Sequence, residues 1–194
     1  EILRCLVGSE MCIRDRAVRM LLKSGDSSIV TFRTNQEVLN LVKDEASFYP
    51  VSSAYSPDHI VYCRPYALFV EASDDMETQY SLIRDGIEAY RQKNGYAPKI
   101  IAVQNLGFYA WGTNKKNADI CAEVFLDACK IGVYSQAFGG PLFMTQKMID
   151  FICNWEVESY RSKVSLAGAA ALRLQEKIAI VTGSAQGFGQ GIAD

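Results

Sequence analysis

The sequence predicts an α/β protein: a layered domain of helices on a sheet, followed by the first strand, turn and helix of a second, doubly wound parallel unit. Three observations predict it. Short runs of β-branched and apolar residues alternate with longer stretches whose apolar residues recur every three or four positions. Turn residues punctuate the alternation, at Ser56-Pro57-Asp58, Gly95 and Phe138-Gly139-Gly140-Pro141. Near the end, an apolar IAIV runs straight into a glycine-rich turn.

Composition narrows the function classes. Lys and Arg number 20 against 22 Asp and Glu, a net charge of −2, so no basic excess is available to neutralise a nucleic-acid backbone. No apolar run reaches the roughly 18 residues of a membrane span. Six cysteines could form disulfides, but Cys121 and Cys129 lie on one helical stretch and no signal peptide precedes them. Free thiols in a reducing cytoplasm are the expectation. The single histidine, His59, rules out any site needing two or three histidines from one chain.

The first 16 residues read differently from the rest. Arg4, Glu10, Arg14 and Asp15 interrupt any secretory apolar core, and neither helical periodicity nor alternation is clear. One frame of a widely used transposase-based sequencing-library adapter translates to the run from Leu6 through Arg16 without a mismatch. Glu1, Ile2 and Cys5 fit the adapter bases before it. Residues 1–16 are therefore expected to be adapter-derived and not native, which removes Met11, Cys5 and Cys12 from the chemistry. The native protein is expected to enter at about Ala17, its natural N-terminal part lying upstream.

From there the elements follow in order. Ser28–Arg33 (SIVTFR) reads as a strand, and Thr34-Asn35 caps a helix through Asp44 with Val38, Leu39 and Val42 on one face. Residues 56–71 open on a turn and continue as extended segments broken at Pro65. Residues 76–95 form a helix with Tyr80, Ile83, Ile87 and Tyr90 inward and Gly95 as its stop. KIIAVQ (99–104) and FYAWG (108–112) are strands, and a long helix starting near Thr113 buries Ile120, Val124, Leu126, Ala128 and Ile131. Thr145 caps a last helix to about Lys163, with Met148, Phe151, Ile152 and Trp155 as core. Residues 17–163 make up this domain, and the patternless, small-residue stretch 164–176 reads as a linker.

Residues 177–194 hold the most chemistry. After the strand IAIV, Gly183 permits a tight turn, and Gly187 and Gly189 clear side chains where a backbone would approach a pyrophosphate. The following helix offers free N–H groups and a partial positive charge to phosphate. A packing turn is the alternative. Thr182, Gly183, Gly187 and Gly189 fill the pattern Thr-Gly-x-x-x-Gly-x-Gly, which resembles the short-chain dehydrogenase/reductase family. That resemblance implies a Rossmann domain and hydride transfer between NAD or NADP and an alcohol or ketone. It also implies a cofactor lined by Thr182, Gly183, Ser184, Gln186, Gly187, Phe188 and Gly189. Gln186 stands where NADP-preferring members carry a basic residue, which leans the choice to NAD. The family's Ser and Tyr-x-x-x-Lys do not follow within these residues, so no catalytic residue is expected here and the chain alone should be inactive.

The front domain has a resemblance of its own. In class II aldolase/adducin-type domains a strand ends in Asn-His-Gly, a second strand ends in Trp-Gly, and a long helix follows; the His binds zinc. Asn105-Leu106-Gly107 and Trp111-Gly112 reproduce that layout with Leu106 in the histidine's place, so no metal ligand is expected in this copy. Any zinc would belong to the upstream part. The order of the two units is similar to bacterial fusions named bifunctional rhamnulose-1-phosphate aldolase/alcohol dehydrogenase. The resemblance implies a sugar or sugar-phosphate substrate, and leaves the sugar and a homo-oligomer open. The competing reading makes residues 17–165 a non-catalytic adducin-like binding or assembly module. Outside these motifs, His59 reads as bonding its local turn, with a substrate or metal contact as the alternative. Lys115 and Lys116 read as a solvated helix start that could attract a sugar phosphate, and Asp74, Asp75 and Glu77 as acids complementing a helix dipole.

Overall fold

The computed structural model describes residues 10–23, 28–155, 185 and 190–192. Its centre is a mixed sheet of four strands, β1 (Ile29–Arg33), β2 (Leu68–Val70), β3 (Ile100–Val103) and β4 (Gly107–Gly112), in the order β1-β4-β3-β2. The β1–β4 and β4–β3 pairs are antiparallel, with Thr31 opposite Ala110 and Ile101 opposite Tyr109. The β2–β3 pair is parallel, with Phe69 opposite Ala102.

Helices cover both faces, and strand alternation decides which side chain meets which helix. Ile100, Ala102, Phe108 and Ala110 face α2 (Gln36–Leu41) and α5 (Lys115–Tyr134). Phe108 packs edge-on against Phe125 of α5, ring centroids 4.8 Å apart. On the other face Ile101, Val103 and Tyr109 meet Val18 and Leu22 from the α1 (Glu10–Leu21) region and Ile83 and Ile87 of α4 (Met76–Asn94). Every residue of β3 is buried, as a central strand with helices on both sides requires. Between the main layers lie α3 (Glu45–Phe48), a 3-10 turn at Tyr49–Val51 and a π-helical turn at His59–Cys63; after α5 come a second 3-10 turn and α6 (Gln146–Asn154).

Several sequence expectations hold. Asn35 caps α2 by accepting from the Val38 N–H at 2.8 Å, and Asp75 caps α4 by accepting from the Thr78 N–H at 2.8 Å. Gly95 ends α4 in the left-handed region at φ 77°. Thr145 caps α6. Cys63, Cys121, Cys129 and Cys153 carry free thiols.

Others need correction. Residues 1–16 carry no clear periodicity, yet α1 runs from Glu10 across the expected boundary at Ala17. Its C-terminal end is anchored by buried Val18 and Leu22 and by Arg91, whose Nη2 donates to the Leu21 carbonyl at 2.9 Å. Once a turn is fixed, adding residues to it needs no further nucleation. The expected α2 through Asp44 ends at Leu41, because Asp44 instead caps α3 by accepting from the Ser47 N–H at 2.7 Å. The extended course expected from residue 56 is a π-helical turn up to Cys63, and extension begins only beyond Pro65.

Three helix faces also differ. In α4 Gln79 is buried in place of Tyr80, because Gln79 Nε2 donates to the Glu71 carbonyl at 3.1 Å and its Oε1 accepts from the Ser73 N–H at 2.9 Å. In α5 the buried face is small, with Ala118, Cys121, Ala122, Ala128, Cys129 and Gly132 around Phe125, and Ile131 is 40% exposed. A Cβ on Gly132 would sit 3.0 Å from Val51, so larger residues would not let the helix in this close. In α6 only Ile149 and Ile152 are buried; Met148, Phe151 and Trp155 are exposed, and the helix stops at Asn154, short of Lys163. The linker expected at 164–176 lies outside the described residues. Among those described, no helix is long and apolar enough to cross a membrane.

Candidate functional site

The residues expected to line a dinucleotide, Thr182, Gly183, Ser184, Gln186, Gly187, Phe188 and Gly189, lie outside the described residues. Within that stretch Ala185 sits in a turn and residues 190–192 are helical. Among the described residues, a Cβ placed on Gly191 would meet nothing within 4 Å.

The Asn105–Gly112 motif is fully described, and its glycines have steric reasons of their own. Asn105 takes φ 55° and Gly107 φ 145° in the turn between β3 and β4. The turn is tied by the Asn105 N–H donating to the Val42 carbonyl at 2.8 Å and the Leu106 N–H to the Val103 carbonyl at 3.1 Å. A Cβ on Gly107 would lie 2.6 Å from the Arg33 carbonyl oxygen, and one on Gly112 would lie 2.4 Å from the Ala118 nitrogen. Leu106, in the position where the resemblance puts a zinc-binding His, packs on the apolar cluster around Ile101 and Tyr109. Among the described residues no group of three or more His, Cys, Asp or Glu side chains could hold a metal ion. A leucine side chain offers no lone pair, so Leu106 itself cannot ligate a metal.

The sheet end beside this turn is fastened by a residue with no sequence signal. Gln104 Oε1 accepts from the Ala72 N–H at 3.2 Å, and its Nε2 donates to the Lys43 carbonyl at 2.8 Å. With its own N–H donating to the Val70 carbonyl at 2.9 Å, one side chain and one amide join three segments.

His59 bonds its local turn: Nδ1 accepts from the Tyr55 N–H at 3.2 Å, and the His59 N–H donates to Ser56 Oγ at 3.4 Å. Accepting at Nδ1 places the neutral ring's proton on Nε2. Burial at 7% exposure pushes its pKa below the usual value, against the raising effect of Asp127 and Asp58. The ring lines a cavity of about 20 Å³, shared with Cys63, Arg64 and Phe125. That is about the space of one water molecule. Arg64, next in the chain after the π-helical turn, has φ 69° and lays its guanidinium 4.7 Å from the Tyr96 ring centroid.

A groove of about 1120 Å³ runs along the free edge of β2. Tyr66, Tyr90, Tyr96 and Phe143 line it, with Lys93 and Asp150 among its charged groups. Val70 directs its carbonyl to Gln104 on the β3 side, so Phe69, alternating with it, directs its N–H and carbonyl to the open edge. Tyr90 fixes part of the wall by donating its hydroxyl to the Tyr66 carbonyl at 2.9 Å.

Lys115 and Lys116 stand on a shallow surface with Asp119 and Glu123. Asp119 ion-pairs with Lys115 and, at 3.2 Å, with Arg33, and accepts from Thr31 Oγ1 at 3.3 Å. These acids offset the basic charge that would draw a phosphate. Sequence reading also missed Lys99, half-buried just ahead of β3, whose Nζ donates to the Tyr62 carbonyl at 2.9 Å. A single lysine before a strand gives no sign of burial.

No protein family and no curated protein sequence matches the chain. Among solved structures it is similar to an aldolase II superfamily protein from Pseudomonas syringae, at 12% identity and a TM-score of 0.47. The similarity covers 70% of this chain and 52% of that one, so the chain spans about half the length of that protein.

Proposed function

We propose that this chain is part of an NAD(P)-dependent short-chain oxidoreductase acting on a sugar or sugar phosphate, joined to an aldolase-like front domain. One observation carries the reading: the apolar strand IAIV leads directly into Thr182-Gly183 and the spaced Gly187 and Gly189. A nucleotide's pyrophosphate needs that combination of tight turn, bare backbone and helix start. The turn at Ala185 and the helical residues 190–192 are compatible with it. Bound nicotinamide would exchange hydride with the substrate's hydroxyl or carbonyl, and Gln186 leans the choice to NAD. The chain itself supplies cofactor contacts and no catalytic acid, base or nucleophile.

A second reading concerns the front domain. Residues 17–165 act as a non-catalytic adducin-like binding or assembly module, favoured by Leu106, which spends the metal-ligand position on core packing. The test is the product of the uninterrupted reading frame, offered a panel of sugars and sugar phosphates with NAD⁺ or NADP⁺. The expected result is nicotinamide reduction that disappears in Gly183→Val, with no aldol cleavage dependent on residues 17–165. Absence of turnover and of nucleotide binding would overturn the oxidoreductase reading; cleavage abolished by changes around Leu106 would overturn the module reading.

A further inference from the structure

Cys63, Cys121 and Lys99 come together beside the π-helical turn, where Lys99 Nζ donates to the carbonyl of Tyr62, the residue before Cys63. Cys63 closes the π-helical turn and Cys121 lies on α5, 58 positions on, yet Cys63 Sγ donates to the Cys121 carbonyl at 3.2 Å. Cys63 is 5% exposed and Cys121 1%. We propose that Cys63 and Cys121 form a peroxide-oxidised dithiol, closing reversibly to a disulfide that ties the π-helical turn to α5.

The neighbouring Cys63 thiol lowers the pKa of Cys121 while Cys121 raises that of Cys63, so negative charge is favoured on Cys121 and Cys63 keeps its proton. The Lys99 ammonium lowers the thiol pKa of each through its charge, while burial raises both. Arg64 acts on Lys99 from the π-helical turn, and Cys129 faces Cys63 from α5. Cys121 accordingly lies below the ordinary thiol range, whereas burial pushes Cys129 up to about 12. Thiolates attack and thiols do not, so the pair is set apart from its neighbours. A dithiol beside a half-buried ammonium is chemistry that core packing does not require.

The steps balance. One sulfur, as thiolate, attacks hydrogen peroxide, leaving a sulfenic acid and releasing hydroxide, which takes up a proton to become water. The neighbouring sulfur, losing its proton as it attacks, displaces hydroxide from the sulfenic sulfur; the S–S bond forms, and that proton and hydroxide leave as a second water. Overall two thiols lose two hydrogens and the peroxide is reduced to two waters. The cavity beside Cys63 is of water size, which selects a small uncharged oxidant over a bulky one such as glutathione disulfide.

The purified chain, treated with hydrogen peroxide, quenched with an alkylating agent and mapped by mass spectrometry, tests this. The expected product joins the Cys63 and Cys121 peptides, forms in the folded protein, and is reversed by dithiothreitol. Glutathione disulfide at equal concentration should give it far more slowly. In Lys99→Gln its formation should slow by about tenfold, because less thiolate is present. In Cys63→Ser one added oxygen, a sulfenic acid, should remain on the Cys121 peptide by mass spectrometry; if that variant fails to fold, the unaltered chain and Lys99→Gln decide the matter. Cys63 and Cys121 staying reduced while exposed Cys153 oxidises, or the bond appearing only in denaturant, would overturn the proposal. An unchanged rate in Lys99→Gln would overturn the role given to Lys99.

Discussion

Replacing Gly112 by alanine should be among the most damaging single-methyl changes available in this protein. The added Cβ would lie 2.4 Å from the Ala118 nitrogen and 2.8 Å from the Asn117 carbonyl carbon, both backbone atoms in the first turn of α5. Ordinary carbon contacts sit at about 3.5–4.0 Å, so relief needs a backbone shift of about 1 Å. That shift strains the cap of α5, where Asn114 Oδ1 accepts from the Asn117 N–H at 2.8 Å. Overpacking costs about 1–3 kcal/mol and a lost cap about 0.5–2 kcal/mol, giving a destabilisation of roughly 2–5 kcal/mol. Urea unfolding followed by circular dichroism reads it as a lower midpoint at constant slope. Gly95→Ala is the control: nothing lies within 4 Å of its Cβ, and only its φ of 77° opposes a side chain. Left-handed backbone costs about 1–2 kcal/mol. A loss below about 1 kcal/mol in Gly112→Ala, or a larger loss in Gly95→Ala, would refute the view that Gly112 is set by β4–α5 packing.

Further outcomes follow from the same structure. Ile83 is fully buried between α4 and the sheet, and Ile83→Ala should cost about 2–5 kcal/mol in the same urea assay. Gln104→Ala removes the bonds to Ala72 and Lys43 and should cost about 1–3 kcal/mol, with hydrogen exchange rising first at the Ala72 amide. His59 has its pKa depressed by burial, so its neutral form is the one the fold favours. Its contribution is whole above the unfolded value of about 6.5 and is lost as pH falls through and below that value towards the folded pKa. The thermal midpoint should therefore decline as pH falls below about 6.5, and His59→Gln should flatten that decline; an equal slope in both proteins would contradict it.

What the sequence made legible was what periodicity and capping encode. The strands at 29–33, 100–103 and 107–112 stand out because β-branched and aromatic residues cluster between turns. Gly95 and Asn35 mark helix ends because only certain residues satisfy the backbone there. What failed was the choice of buried face. Hydrophobicity ranks Tyr80 above Gln79, but the amide of Gln79 finds two backbone partners and the fold buries it. It likewise ranks Ile131 above Gly132, although only the glycine lets α5 approach Val51. The π-helical turn was hidden because Pro65, two residues past it, reads as a break in an extended run. Of the candidate site, the glycines of the Asn105–Gly112 motif were visible but their steric cause was not, since the Arg33 carbonyl and α5 reach them through tertiary contact. The placing of Lys99 beside Cys63 and Cys121 depends on elements far apart in sequence, so no local pattern announces it.

Isothermal titration of the uninterrupted gene product with NAD⁺ and NADP⁺, beside its Gly183→Val variant, tests the central claim most directly. The expected result is saturable binding of one nicotinamide dinucleotide per chain, stronger for NAD⁺, abolished by the substitution while the thermal midpoint of the front domain stays put. Binding that survives Gly183→Val, or no binding of either dinucleotide by the folded protein, would contradict it.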